Sequence, residues 1–172
     1  MRRRSLRWDC RSACRRRYEK NPSLTFDLPE RNPCPFCENV AGRKECAVVE
    51  ALATSIAFVN PRQYRPGATL VIPRRHAETL FDLQVSETAD LARHVQRVAA
   101  AVAQAFVADG MNVFQNNGVA AGQSVPHYHV HILPRHKDDG YLALSSDDVA
   151  LTPIAERMRI AESITKHLVP GR

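Results

Sequence analysis

The chain predicts an α+β domain built on a mainly antiparallel sheet, and three features of the sequence predict it. Short β-branched and aromatic runs separated by turn residues come first, around Val48 to Val49, Thr54 to Val59 and within "ATLVIPR". One long amphipathic helix follows from Ser86, and further strands close the pattern at "MNVFQNNG" and around His127, His129 and His131. Strands in hairpins, then a helix, then more strands is the element order of an α+β fold, not of alternating βαβ units.

Taken in order, "NPSLTFDLPERNP" is broken by Pro22, Pro29 and Pro33 and reads as an irregular linker, so the domain is expected to begin near "CPFC". "CAVVEALATSIAFVN" reads as two short strands joined by a turn, and "PRQYRPG" as the loop before a third strand ended by Pro73. "SETADLARHVQRVAAAVAQAF" begins with a serine cap and carries acids at Glu87 and Asp90 in its first turn. Its Leu91, Val95, Val98, Val102 and Phe106 recur at three- and four-residue spacing, which gives one apolar stripe facing a sheet, and the helix is expected to end at Asp109-Gly110. "PIAERMRIAESITKHL" shows the same spacing at Ile154, Met158, Ala161 and Ile164 and predicts a C-terminal helix docked on the core or on a partner. The expected layout is an extension at 1–30, a folded domain at 31–140, and a C-terminal loop and helix at 141–172.

With 172 residues, 44% hydrophobic and 24% charged, the chain has the size and composition of one globular domain, which excludes wholesale disorder and fibrous repeats. The net charge of +6 suggests nucleic acid until it is located. Residues 1–20 hold nine basic and two acidic groups, whereas the rest holds fifteen basic and sixteen acidic ones. The folded part is therefore nearly neutral. The basic leader has no apolar face and no secretory core; it reads as a disordered extension, with an organelle transit peptide, an anionic membrane contact or a nucleic-acid tether as alternatives. Five cysteines, an odd number, with no secretory leader and no apolar stretch of membrane-spanning length, predict a reducing, cytoplasmic setting and no membrane partner.

The chemistry concentrates in "SVPHYHVHILPR". In an extended strand His127, His129 and His131 share one face while Tyr128, Val130 and Ile132 share the other, so the apolar trio should face the helix and leave the imidazoles on an open, polar face. A rise of ~3.3 Å per residue puts the outer two Cα atoms roughly 13 Å apart, too far for all three rings to meet on one ion without strain. A histidine can instead attack phosphorus if one nitrogen is unprotonated and the other is held by an acceptor. Donors for the phosphate oxygens are at hand in Asn116, Gln123, Ser124 and His131, with Gly122 permitting close backbone approach.

"GQSVPHYHVHILPR" resembles the signature of the histidine triad (HIT) family of nucleotidyl hydrolases and transferases, and "LVIPRRHAETLFDL" at 70–83 resembles the family's other typical segment. With "AFVN" and "CPFC" the resemblance spans roughly Cys34 to Arg135. It implies a five-stranded antiparallel sheet and a homodimer formed through the long helix and neighbouring strands. It also implies that His129 is the nucleophile forming a nucleotidyl-histidine intermediate, with Asn116, Gly122, Gln123, Ser124 and His131 around the phosphate, Asn60 against the ribose, and Phe36, Ile56 and Phe58 walling the base. Asn60 and the "LPR" ending at Arg135 look closer to the dinucleoside polyphosphate hydrolases, while Asn116 and Ser124 resemble the phosphoramidases. Tyr128 stands where the related uridylyltransferases carry proline. The resulting expectation is a hydrolase of purine, above all adenine, nucleotides such as diadenosine polyphosphates; a phosphoramidase or acyl-adenylate hydrolase, a phosphorylase, and a nucleotide sensor are the alternatives.

Cys34-Pro-Phe-Cys37 has zinc-ligand spacing, but one C-x-x-C equally suits reduced thiols or a redox pair. Zinc-bearing relatives of the family resemble an arrangement in which His76 and His127 complete the site, which makes His127 structural and His129 catalytic. Cys46 is expected to be a small core residue, and His94, His136 and His167 to have no catalytic role.

Overall fold

Five strands form one sheet in the order β1-β2-β3-β5-β4, every neighbouring pair antiparallel, in a computed structural model that describes residues 25–140 and 149–169. A short helix, α1 (Pro35–Val40), precedes β1 (Val48–Ala51), β2 (Ser55–Val59) and β3 (Thr69–Pro73). A 3-10 turn at Leu80–Asp82 leads into the long helix α2 (Val85–Ala105), then come β4 (Gly110–Phe114), a 3-10 turn at Val119–Ala121, β5 (Val130–Arg135) and α3 (Ile154–Thr165).

Alternation along the strands divides the apolar residues between two cores. Ala57, Val59, Val71, Val130 and Ile132 face α2 and α3, where Leu91, Val98, Ala101, Val102, Ala161 and Ile164 close the main core. Ile56, Phe58, Leu70 and Ile72 point the other way and meet Phe36 of α1 in a second, smaller cluster. Strands β2 and β3 are thus buried on both faces, which is why their sequences read as unbroken apolar runs.

Several expectations need correcting. α1 was not foreseen: Pro35 sits at its first turn, where a missing N–H costs nothing. The long helix is capped by Gln84, one residue before it starts, and not by Ser86. Glu87 accepts the Gln84 N–H at 2.9 Å, while its carboxylate also holds Arg75 through two bonds of 2.7 and 2.6 Å. The helix stops at Ala105, because Val107 turns left-handed at φ 48° and Gly110 already belongs to β4. The histidine strand begins only at Val130, so His127 and His129 lie in the irregular segment that feeds it. The histidine face is also not open, since α1 and the second cluster cover it. The basic leader at 1–20 lies outside the described residues.

Candidate active site and metal-ligating cluster

Four side chains from three separate stretches converge beneath α1. Cys34 and Cys37 lie at the N-cap and third position of that helix, His76 follows β3, and His127 precedes β5. Their ligand atoms all fall within 4.8 Å of one another. Cys34 Sγ is 3.6 Å and Cys37 Sγ 3.7 Å from His127 Nδ1, and Cys37 Sγ is 3.3 Å from His76 Nδ1. A tetrahedral zinc with bonds of about 2.3 Å to sulfur and about 2.0–2.1 Å to nitrogen separates S from N by about 3.5 Å, so the cluster has the edge lengths such an ion requires. The second nitrogen of His127, Nε2, lies 2.9 Å from the Pro73 carbonyl. A carbonyl only accepts, so Nε2 carries the proton and the Nδ1 lone pair is turned toward the thiols. The Cys34 thiol is held far below its ordinary pKa, first by its hydrogen bond with Cys37 and then by the imidazoles, against the opposing effect of burial.

Two residues further on, the same logic fixes His129. Its Nδ1 lies 2.7 Å from the His127 carbonyl and must donate, which leaves the Nε2 lone pair available on the neutral ring. Burial holds its pKa down to about 4, and only 4% of the residue is exposed. Nε2 has no hydrogen-bond partner among the described residues, and it is not among the sealed, unpartnered polar atoms. His131 follows with its ring 4.9 Å from that of His129, and burial, with His129 beside it, holds its pKa down to about 3. Register explains its surroundings. Phe58, Leu70, His131 and Phe114 form one row across four strands, and the Phe114 ring stacks flat on His131 at 4.6 Å and 5°. Phe114 was not singled out from the sequence; its place in a strand running into Asn116 and Asn117 was the available signal.

The polar loop between β4 and β5 brings Asn116, Gly122, Gln123 and Ser124 to this end of the sheet. Gly122 is left-handed at φ 80°, a backbone conformation that side chains disfavour, and it lies beside Asn116, whose Nδ2 would be in ordinary contact, 3.6 Å, with a Cβ at this position. Ser124 and Asn116 are half-buried. Gln123 differs from the expectation. It is 3% exposed, donates to the carbonyls of Glu78 and Val125 at 2.7 and 2.9 Å, and accepts the Gly118 N–H at 2.7 Å. With both amide hydrogens engaged it braces the loop and has no donor left for a phosphate. Asn117, also unforeseen, fastens the loop by accepting the Leu80 N–H at 2.9 Å. Asn60 closes β2, and its Oδ1 caps the Arg62 N–H at 3.0 Å. Phe36, Ile56 and Phe58 sit together in the second cluster. Cys46 packs at its edge, with its thiol pKa pushed up to about 11 by burial.

A family model described as HIT domain matches residues 41–138. The chain is 35% identical over 136 residues to "Protein hit" of Bacillus subtilis, covering 78% of this chain and 94% of that one. It is 47% identical over 85 residues to the asymmetrical bis(5'-nucleosyl)-tetraphosphatase of Schizosaccharomyces pombe, covering 49% of this chain and 47% of the relative. It is 32% identical over 120 residues to the adenosine 5'-monophosphoramidase hnt1 of the same yeast, covering 70% and 87%. Among solved structures, a zinc-bound histidine triad family protein from Mycobacterium smegmatis matches with a TM-score of 0.68 and 29% identity, over 80% of this chain and 94% of that one. With the strand order, the histidine constellation and these likenesses in agreement, the chain belongs to the HIT domain family.

Proposed function

We propose that this protein is a nucleotide hydrolase that attacks the α-phosphorus of a purine, most simply adenine, nucleotide through His129, with diadenosine polyphosphates as the favoured substrate class. The observation that carries the reading is the neutral His129 ring, its Nδ1–H donated to the His127 carbonyl and its Nε2 lone pair without a partner among the described residues. The 47% identity to the tetraphosphatase supports the choice of substrate; the likeness to the phosphoramidase supports an alternative leaving group, an amine, on the same chemistry.

The steps balance without a redox partner. The Nε2 lone pair forms a P–N bond as the bond from the α-phosphorus to its bridging oxygen breaks, and the leaving phosphate carries off the bonding pair. The ring becomes cationic in that step, and the carbonyl facing Nδ1–H stabilises the charge. Asn116, Ser124 and His131 supply donors to the non-bridging oxygens, and Asn60 faces the ribose. Water then attacks phosphorus, the P–N bond breaks and its pair returns to Nε2, while the water's second proton leaves to solvent. We assign Gln123 to the shape of the loop.

We further infer that Cys34, Cys37, His76 and His127 hold one zinc ion, which supplies structural clamping of α1 onto the segment before β5 and takes no part in bond making. A homodimer is inferred at the β4 edge of the sheet, where Val113 and Phe114 are exposed.

The test is a substrate panel of dinucleoside polyphosphates, an adenosine phosphoramidate and an acyl-adenylate, each with and without orthophosphate. AMP release from a dinucleoside polyphosphate, abolished in a folded His129→Ala variant, is the expected outcome. Phosphate-dependent ADP formation would make the enzyme a phosphorylase, and tight binding without turnover would make it a sensor.

A further inference from the structure

Phe36 stands between the two thiols of Cys34 and Cys37 in sequence and between two histidines in space. Its ring meets His127 edge-on, with centroids 5.9 Å apart and planes at 74°, and meets His129 in the same manner at 5.2 Å and 79°. Phe58 closes a third side at 5.5 Å and 68°. Three near-perpendicular contacts leave the Phe36 ring little freedom, and Cys34 and Cys37, which bracket it in the same turn, each contact imidazoles.

The His129 ring is less well secured by polar contacts. Its Nδ1 bond to the His127 carbonyl fixes one nitrogen but does not by itself set the tilt of the plane. That tilt decides where the Nε2 lone pair points, and it is set by the rings on either side, Phe36 and His131. We propose that Phe36 is a positioning residue that converts the geometry of the Cys34, Cys37, His76 and His127 cluster into the orientation of the His129 ring. The inference rests on the reading of His129 as nucleophile and zinc as clamp. It adds the part that connects them: when the thiols shift, Phe36 shifts with them, and the attacking nitrogen loses its aim.

A wall for the nucleotide base would also occupy this place, and the two roles separate in protein without nucleotide. The experiment uses the full chain, 15N-labelled at histidine, loaded with zinc and free of nucleotide, at one fixed pH. Wild type is expected to show His129 as a single tautomer protonated at Nδ1. Phe36→Leu keeps an apolar side chain at this position and all four ligands, and removes the ring. It should retain one zinc per chain, yet broaden or split the His129 resonances and lower kcat on the order of tenfold to a hundredfold, with KM moved far less. Phe36→Tyr should restore the wild-type pattern. Stripping zinc should disturb His129 more in wild type than in Phe36→Leu, because the direct path through the His127 carbonyl is common to both proteins whereas the path through the Phe36 ring is present only in wild type.

Unchanged His129 resonances in Phe36→Leu would overturn the proposal. So would a defect confined to KM, a loss of zinc from that variant, or an equal response to zinc removal in both proteins. If Phe36→Leu does not fold, Phe36→Met repeats the comparison. If wild type turns over none of the nucleotides, the proposed activity falls, and the nucleotide-free spectra still decide the positioning role.

Discussion

At the scale of single residues, the histidines differ by environment more than by type. His127 faces the thiols, His129 presents a lone pair, and His131 lies under Phe114, three settings within five residues of chain. His94 shows what burial does away from the site. It is fully buried on α2, shares a 2.7 Å hydrogen bond between Nδ1 and Ser55 Oγ, and has Glu50 3.4 Å from Nε2. That carboxylate is engaged by Arg97 at 2.7 Å, so burial, reinforced by Arg97, prevails and lowers the His94 pKa to about 4. The folded state therefore binds this proton less readily than the unfolded chain. The stability the neutral ring supports is complete above about pH 6.5 and declines as pH falls toward 4, by about 3 kcal/mol in all. Urea unfolding at pH 7 and pH 4 should show a steeper acid loss in wild type than in His94→Phe; parallel losses would contradict this account. The sequence showed a histidine within a helix and gave no hint of the network, because Ser55 and Glu50 approach only through tertiary packing.

At the scale of elements, α1 and the loop before β5 are where the sequence said least. The long helix, β2 and β3 were legible because their periodicities are set by burial over many residues. α1 is six residues long, too short for a period, and its position depends on partners 39 and 93 residues away along the chain. The ligand types were readable from Cys34 and Cys37, whereas their convergence with His76 and His127 from spacing alone was not. Gln123 shows a related limit: the motif names a polar side chain, and only the fold shows that the Glu78 and Val125 carbonyls take both its amide hydrogens while the Gly118 N–H donates to its oxygen. If zinc clamps α1, its removal leaves two buried or half-buried thiols and two imidazoles without their common partner. Chelation should lower the melting temperature on the order of 10 °C, on the footing of several kcal/mol lost at about 2–4 °C each. A melting curve indifferent to chelator, in protein shown to have contained zinc, would remove the clamp from the account.

At the scale of the whole molecule, the sheet leaves its two edges unequal. β1 is covered in part by α3, which packs against it, with Thr165 donating to the Val49 carbonyl at 3.2 Å. β4 ends the other side with its outer hydrogen-bonding groups unpaired among the described residues and with Val113 48% exposed. A second copy aligned along β4 would cover that edge. Sedimentation equilibrium should find a dimer in wild type and a monomer in Val113→Lys, whereas a wild-type monomer at every concentration would remove the inferred interface. The α+β class and the order of the elements followed from sequence periodicity, while the enclosure of the histidine face did not, because it depends on α1 folding back over the sheet. Bond formation between His129 Nε2 and phosphorus can be caught by alkaline quenching of the enzyme during turnover of a diadenosine polyphosphate, followed by peptide mass spectrometry. One adenylyl group on His129, absent from His129→Ala, is the predicted result; turnover with no adduct, or with the adduct on another residue, would contradict it.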